Sequence, residues 1–219
     1  MKLKEFILIP RVIHQIWIGK KLPPQELMNT WKISGFDYVL WDEEALSKLT
    51  MVNQDKYDYF YNKKVFHGCA DIARVEILKQ YGGVYIDADT RCLKPLPDTW
   101  FDNYNFFAVQ ANNESKYWNY RVANGVMASE INGSVIIEYN EQIKNATKIE
   151  PCWCTIGGTT LTNILVDNFK NDPSILILEP YTFYPKGMRG YTNPRASKAY
   201  AIHYWGSKNK KVYNLKDTS

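Results

Sequence analysis

The segment from Tyr81 to Asp89 constrains the fold of this chain more than any other, and it reads Tyr-Gly-Gly-Val-Tyr-Ile-Asp-Ala-Asp. Gly82 and Gly83 are typical of a helix C-terminus. The apolar residues that follow them predict a buried strand from Val84 to Ala88. Because side chains alternate along a strand, Asp87 and Asp89 are expected to point to the same side. The segment therefore predicts an α/β protein with two carboxylates at the end of a buried strand.

Two carboxylates this close repel each other, so one of them would hold a proton unless a cation lies between them. Oxygen ligands two residues apart suit Mg²⁺ or Mn²⁺. The carboxyl end of a strand in an α/β sheet is also where ligands collect. We therefore expect Asp87 and Asp89 to bind a divalent cation.

The preceding helix, from Gly68 to Tyr81, carries charges on two opposite faces of a helical wheel. Its polar arc predicts that Glu76, Lys79 and Gln80 face solvent. Asp71 and Arg74 lie nearly opposite that arc, and two inward charges are costly unless they are paired. They either form a structural ion pair or line a polar pocket, and the helix alone leaves both interpretations open.

Strands and helices alternate along most of the chain, which predicts an α/β sandwich on a mostly parallel sheet. We expect one domain over 1–219, with a polar tail at 208–219. The predicted strands are 6–19, 38–41, 84–88, 106–109, 122–128, 175–178 and 201–205. The predicted helices are 43–49, 57–64, 68–81, 134–144 and 160–169.

Composition excludes several classes of protein. The net charge is +4, and 21 of the 27 basic residues are Lys, without an Arg-rich stripe, so a nucleic-acid partner is not expected. A phosphate-bearing ligand or an anionic membrane surface fits this charge. The spacing of the four cysteines favours free thiols over zinc. No apolar stretch is long enough to span a membrane, so we expect a cytoplasmic protein, with peripheral membrane contact as the alternative.

One competing family also places Asp-x-Asp-x-Thr after an apolar strand. In haloacid-dehalogenase-type phosphatases the first Asp, here Asp87, is the nucleophile that forms an aspartyl-phosphate. That family requires a later strand that ends in Gly-Asp, and no later Asp of this chain has such a context. A phosphatase therefore stays an alternative of lower weight.

Three segments together resemble glycosyltransferase family 32, which includes initiating mannosyltransferases and polysaccharide sugar transferases and is related to the catalytic domains of glucosylating bacterial toxins. The first segment is 9–19, with His14-Gln15-Ile16-Trp17 at its centre. The second runs from Ala70-Asp71-Ile72-Ala73-Arg74 to Asp89, and the third is 201–205, which contains His203. The resemblance implies a GT-A fold, a Rossmann-like mostly parallel sheet flanked by helices, and retention of anomeric configuration. It also implies a nucleotide-sugar donor with Mn²⁺ or Mg²⁺.

The resemblance also implies roles for individual residues. The metal ligands would be Asp87 and Asp89, with His203 as the third, and Asp87 would also contact the ribose or the sugar of the donor. Asp71 and Arg74 would hold the donor sugar and its phosphates, and Trp17 would stack on the base while the backbone at Ile16 reads its edge. Asn124 and Gly158 fall where relatives line the cleft between donor and acceptor. His14 and His67 are expected to be structural.

The sequence thus predicts a metal-dependent retaining hexosyltransferase. A UDP-sugar is the favoured donor and GDP-mannose the alternative, while a glycan, a lipid-linked sugar and a protein stay open as acceptors. A non-catalytic module that binds nucleotide sugars is a further alternative, although such a binder has little use for paired carboxylates. The chain departs from the family where Lys208 follows Gly206-Ser207 in place of the usual Trp.

Overall fold

The computed structural model describes residues 9–33, 35–112, 121–187 and 190–206. The predicted tail at 208–219 lies outside the described residues. The strands are β1 Val12–Ile16, β2 Asp37–Trp41, β3 Gly83–Ile86, β4 Thr90–Cys92, β5 Phe106–Gln110, β6 Val122–Ser129, β7 Ile175–Leu178 and β8 Ala201–His203. The α-helices are α1 Gln25–Asn29, α2 Glu43–Ser47, α3 Gln54–Asn62, α4 Phe66–Tyr81, α5 Asp98–Asp102, α6 Ser134–Asn145, α7 Cys152–Thr155 and α8 Gly158–Asn168.

Six strands form one sheet in the order β2-β1-β3-β6-β5-β7. Strands β2, β1 and β3 run parallel, and β7 runs parallel to β5, whereas β6 is antiparallel to both of its neighbours. The mostly parallel sheet expected from the sequence is therefore confirmed. Its parallel strands β1 and β3 lie side by side, so the residues that follow Ile16 and Ile86 meet at one edge.

The sheet separates two hydrophobic clusters. Helices α3, α4, α6 and α8 cover one face, where Tyr85 and Met127 contribute to the core. On the other face Val84 and Ile86 pack with Trp31 and with other aromatic side chains. Because Tyr85 points toward the α4 side, Asp87, two residues further along, is directed to that side as well.

The turn from α4 into β3 depends on its two glycines. Gly82 and Gly83 have φ values of 62° and 86°, in the left-handed region that favours glycine. A Cβ at Gly83 would lie 2.6 Å from the Val12 carbonyl oxygen, so the strands approach too closely for a side chain. His14 Nε2 lies 3.0 Å from the Gly82 carbonyl oxygen, which supports the structural role expected for His14.

Glu76 corrects the prediction made from the helical wheel. Its side chain is buried rather than exposed to solvent, and its Oε1 accepts hydrogen bonds from the Asn53 backbone N at 2.8 Å and from Asn53 Nδ2 at 3.0 Å. Helix α3 begins directly after Asn53, so the carboxylate satisfies the start of a neighbouring helix. A helical wheel shows which positions of a helix are polar, but it does not show whether another element of the fold buries them.

A separate two-stranded ribbon joins the chain after the carboxylates to its C-terminal part. Strand β4 pairs antiparallel with β8, which sets Thr90 opposite His203. The sequence did not predict β4, and β8 ends at His203 instead of continuing to Trp205, whose φ is 56°. None of the described helices has the length and apolar character needed to cross a bilayer.

Candidate metal and donor site

Three potential ligands converge where β3 and β8 end. His203 Nε2 lies 3.1 Å from Asp89 Oδ1 and 3.4 Å from Asp87 Oδ2, and one ligand atom from each residue fits within 4.8 Å of the others. The structure thus brings together the three residues for which metal binding was predicted. Two carboxylate oxygens and one imidazole nitrogen are a suitable donor set for a divalent cation.

Asp87 is held from several directions. Its Oδ1 accepts a hydrogen bond from the Tyr85 hydroxyl at 2.8 Å and lies 3.4 Å from Arg74 Nη1. Its backbone N donates to the Gly125 carbonyl oxygen at 2.8 Å. A Cβ at Gly125 would lie only 2.5 Å from Asp87 Oδ2, so glycine leaves the space that this carboxylate occupies.

Asp89 is fixed by the chain that follows β8. The Gly206 backbone N donates to Asp89 Oδ2 at 2.5 Å, and the Tyr204 backbone N donates to the Asp89 carbonyl oxygen at 3.0 Å. The Trp205 ring packs edge-on against His203 with 4.3 Å between centroids. The segment after β8 therefore orients both Asp89 and His203.

The inward pair on α4 joins the same network. Arg74 Nη2 lies 3.3 Å from Asp71 Oδ1, which also accepts a hydrogen bond from Asn124 Nδ2 at 2.8 Å. Arg74 Nη1 donates to the Asn124 carbonyl oxygen at 2.7 Å, and its Nε donates to the Ala70 carbonyl oxygen at 2.9 Å. Both interpretations left open by the sequence hold in part, since Asp71 and Arg74 form an ion pair and also line the cleft.

The electrostatics follow from burial and from these contacts. Burial acts to raise the pKa of Asp87, but the Arg74 guanidinium and His203 outweigh it and hold that pKa below its usual range. Burial raises the pKa of Asp71, and Arg74 and Asn124 offset only part of this effect. Burial acts to lower the pKa of His203, but Asp89 and Asp87 raise it to about 10. A protonated His203 thus balances the carboxylates, and a divalent cation would take over that role while requiring a neutral imidazole.

These residues lie in a cleft of about 590 Å³. Ile16 and Trp17 line it from the loop after β1, and Trp17 Nε1 donates to the Lys21 carbonyl oxygen at 2.7 Å, which orients the indole ring. Gly158 is placed elsewhere. It begins α8 and is buried against β6, where a Cβ would lie 2.9 Å from the Val122 carbonyl oxygen. A donor contact for Gly158 stays a prediction.

Several residues of the site were not singled out from the sequence. Lys20, Lys64 and Trp153 line the cleft, and so does His67, which was expected to be structural. The Tyr184 hydroxyl and His203 Nδ1 are buried without a hydrogen-bond partner among the described residues. Lysines in loops and a tyrosine after a short helical turn carry no local pattern, so only the tertiary fold identifies them.

The sequence matches a family description and is similar to several curated proteins. Residues 25–107 match the family described as "Glycosyltransferase sugar-binding region containing DXD motif". A mimivirus protein (Acanthamoeba polyphaga mimivirus), named uncharacterized glycosyltransferase L373, is 38% identical over 136 residues, which are 58% of this chain and 53% of the relative. Inositol phosphoceramide mannosyltransferase 1 of Schizosaccharomyces pombe is 35% identical over 100 residues, 40% of this chain and 30% of the relative. The chain thus spans less than two thirds of either relative.

The solved structure of the PaToxG glycosyltransferase shares the fold. It superimposes with a TM-score of 0.59 at 19% sequence identity, over 74% of this chain and 71% of that chain. Together with the six-stranded mixed sheet, this likeness confirms the GT-A fold class.

Proposed function

We propose that this chain, whose residues 25–107 match the DXD-containing sugar-binding region of glycosyltransferases, transfers a hexose from a nucleotide sugar to a hydroxyl acceptor with a bound Mn²⁺ or Mg²⁺ ion. The observation that carries the proposal is the cluster of Asp87, Asp89 and His203 in the lining of the cleft. The diphosphate of a nucleotide sugar is negatively charged. A divalent cation held by these three residues would balance that negative charge.

The residues present fit the metal. The carboxylates supply hard oxygen ligands, and glycine at position 125 leaves the Asp87 carboxylate its space beside β6. The imidazole nitrogen favours Mn²⁺ over Mg²⁺, because Mg²⁺ prefers oxygen ligands throughout. When bound, the metal supplies positive charge to the departing diphosphate as a Lewis acid.

The chain's own residues bind and orient the donor. Lys20 and Lys64 are exposed at the cleft and give cationic contacts for phosphate oxygens. Arg74 is already engaged by Asp71, Asp87 and Asn124, so its main contribution is to fix the carboxylates in position. Donor contacts of Asp71, Arg74 and Asn124 remain part of the proposal, because all three line the cleft.

The nucleotide base is proposed to stack on Trp17, with the backbone at Ile16 at its edge. The ring of Trp17 is oriented by its hydrogen bond to the Lys21 carbonyl oxygen, as a stacking platform requires. We favour a UDP-sugar as donor. GDP-mannose is the alternative, since the fungal relative is named a mannosyltransferase.

We propose that transfer retains the anomeric configuration by a front-face reaction. The bond between the anomeric carbon and the leaving phosphate oxygen breaks while the acceptor oxygen bonds to the same face. The acceptor proton passes to the leaving phosphate oxygen, so no protein nucleophile is required. Asp87 is a poor candidate for a phosphatase nucleophile, because Tyr85 and Arg74 engage one of its oxygens and His203 the other.

A thermal-shift screen of nucleotide sugars with and without Mn²⁺ tests the proposal. A ligand that binds the folded state raises the melting temperature by mass action. We expect one nucleotide sugar to raise it with Mn²⁺ and to have little effect in EDTA, and that compound to be hydrolysed slowly without an acceptor. Stabilisation without turnover would favour a binding module, and phosphate release from simple monophosphates would favour a phosphatase.

A further inference from the structure

A side groove leads away from the metal cleft, between the end of α3, the start of α4 and α7. It has a volume of about 470 Å³ and shares two residues, His67 and Trp153, with the cleft. The remaining lining residues are Phe60, Val65, Glu150, Pro151 and Cys152. Because Trp153 lines both spaces, a molecule in the side groove would extend directly toward the donor site.

Trp153 presents a large aromatic surface at this junction. It is 52% exposed, whereas Trp31 and Trp41 are buried. Its backbone is well supported, since its neighbour Cys152 is buried and a Cβ at Gly157 would lie 2.8 Å from the Trp153 Cα. The Arg121 guanidinium lies over the ring, 5.6 Å from its centroid, and holds it from one face. The remaining exposed surface of the ring is therefore preorganised, which lowers the entropic cost of binding a flat partner.

The groove combines this ring with polar groups. Glu150 Oε1 accepts hydrogen bonds from the Tyr59 hydroxyl at 3.2 Å and from Lys63 Nζ at 3.1 Å, so the carboxylate is held in place. His67 adds an exposed imidazole to the lining. A carboxylate and an imidazole beside an aromatic face disfavour a purely apolar occupant such as an acyl chain.

We propose that the side groove binds a carbohydrate acceptor and that Trp153 stacks on the C–H face of its pyranose ring. The electron-rich face of an indole attracts the polarised C–H groups of a sugar, and the sugar hydroxyls reach Glu150 and His67. The acceptor hydroxyl then points from the side groove into the cleft that holds Asp87 and Asp89. This assignment rests on the proposed glycosyl transfer and names its acceptor class.

The test compares the wild type with Trp153→Ala, Trp153→Gln and Trp153→Phe, and with Tyr191→Ala as a matched control. Tyr191 is 48% exposed and lines neither the cleft nor the side groove. Methyl pyranosides of mannose, glucose, galactose and N-acetylglucosamine are the probes. Their binding is measured by saturation-transfer NMR, and Mn²⁺-dependent donor hydrolysis without acceptor is measured in parallel.

We expect at least one glycoside to bind the wild type and its dissociation constant to rise about tenfold in Trp153→Ala and Trp153→Gln, which corresponds to about 1.4 kcal/mol. Trp153→Phe should retain most of the affinity, and Tyr191→Ala, which changes neither the cleft nor the side groove, should bind the glycoside and hydrolyse the donor as the wild type does. Unchanged glycoside affinity in both ring-free variants, or no glycoside binding to a wild type that hydrolyses its donor, overturns this assignment and leaves the proposed function standing. A wild type that neither binds nor hydrolyses any nucleotide sugar overturns both.

Discussion

His203 Nε2 lies 3.1 Å from Asp89 Oδ1 because strand β8 pairs with β4 and sets His203 opposite Thr90, the residue after Asp89. A ribbon of two short strands therefore completes the candidate metal site from the C-terminal part of the chain. The backbone N of Gly206 holds the second oxygen of Asp89. The ribbon thus supplies His203, and the segment that follows it holds Asp89, so both shape the candidate metal site.

Arg74→Ala should destabilise the fold strongly. The change leaves Asp71 and Asp87 without their shared cation, and breaking a buried ion pair from one side costs about 3–5 kcal/mol. Urea unfolding measures the loss in the free energy of unfolding. Arg195→Ala is the matched control, because its partner Glu179 is exposed and such surface pairs contribute about 1 kcal/mol or less. Equal losses in the two variants would show that the Arg74 network does not stabilise the protein.

Gly125→Ala should weaken metal binding while the protein stays folded. Its new Cβ would lie 2.5 Å from Asp87 Oδ2, so the carboxylate must move. Displacing the groups that orient a metal ligand typically costs about 10- to 100-fold in affinity. Titration calorimetry with Mn²⁺ measures the dissociation constant, and circular dichroism checks the fold. Wild-type Mn²⁺ affinity in a folded variant would contradict the assignment of Asp87 as a ligand.

His14 predicts a pH dependence of stability. Burial lowers its pKa from 6.5 to about 4, and the Gly82 carbonyl offsets only part of this shift. Trp41 Nε1 donates to His14 Nδ1 at 3.1 Å, so the nitrogen that would take the proton already accepts a hydrogen bond. The unfolded state therefore binds a proton at higher pH than the folded state does. The contribution of neutral His14 is present above pH 6.5 and is lost as the pH falls toward 4.

Urea unfolding of the wild type and His14→Gln at pH 7.5 and 4.5 measures this effect. Between pH 7.5 and 4.5 the free energy of unfolding should fall by about 2–3 kcal/mol more in the wild type than in the variant. If the free energy of unfolding changed with pH equally in the two proteins, folding would not lower the pKa of His14.

Local sequence patterns predicted the part of the site that lies on consecutive elements. The inward positions of Asp71 and Arg74 follow from helical periodicity, and the shared side of Asp87 and Asp89 follows from strand alternation. Both predictions depend only on neighbours in the chain. The structure confirms that Asp71 and Arg74 are buried and that the two carboxylates approach a common partner in His203.

The remaining features depend on contacts between distant segments. Glu76 lies on the polar arc of α4 yet is buried by Asn53, because α3 crosses that position. Strand β4 is too short to show a period of its own and is defined by its pairing with β8. His67 and Trp153 come together at the side groove only because α7 packs near the start of α4. The residues in each of these contacts are too far apart along the chain for a local sequence pattern to include both.

The most direct test of the account measures hydrolysis and transfer of a nucleotide sugar by the wild type and Asp89→Asn with saturating Mn²⁺ and with EDTA. Asp55→Asn is the control, since its side chain is 74% exposed and lies outside the cleft. We expect the wild type and Asp55→Asn to hydrolyse and transfer the donor only with Mn²⁺. The turnover rate of Asp89→Asn should fall about 1,000-fold, while its melting temperature stays close to that of the wild type. Turnover by folded Asp89→Asn at the wild-type rate, or wild-type turnover that persists in EDTA, would contradict a metal-dependent glycosyl transfer at this site.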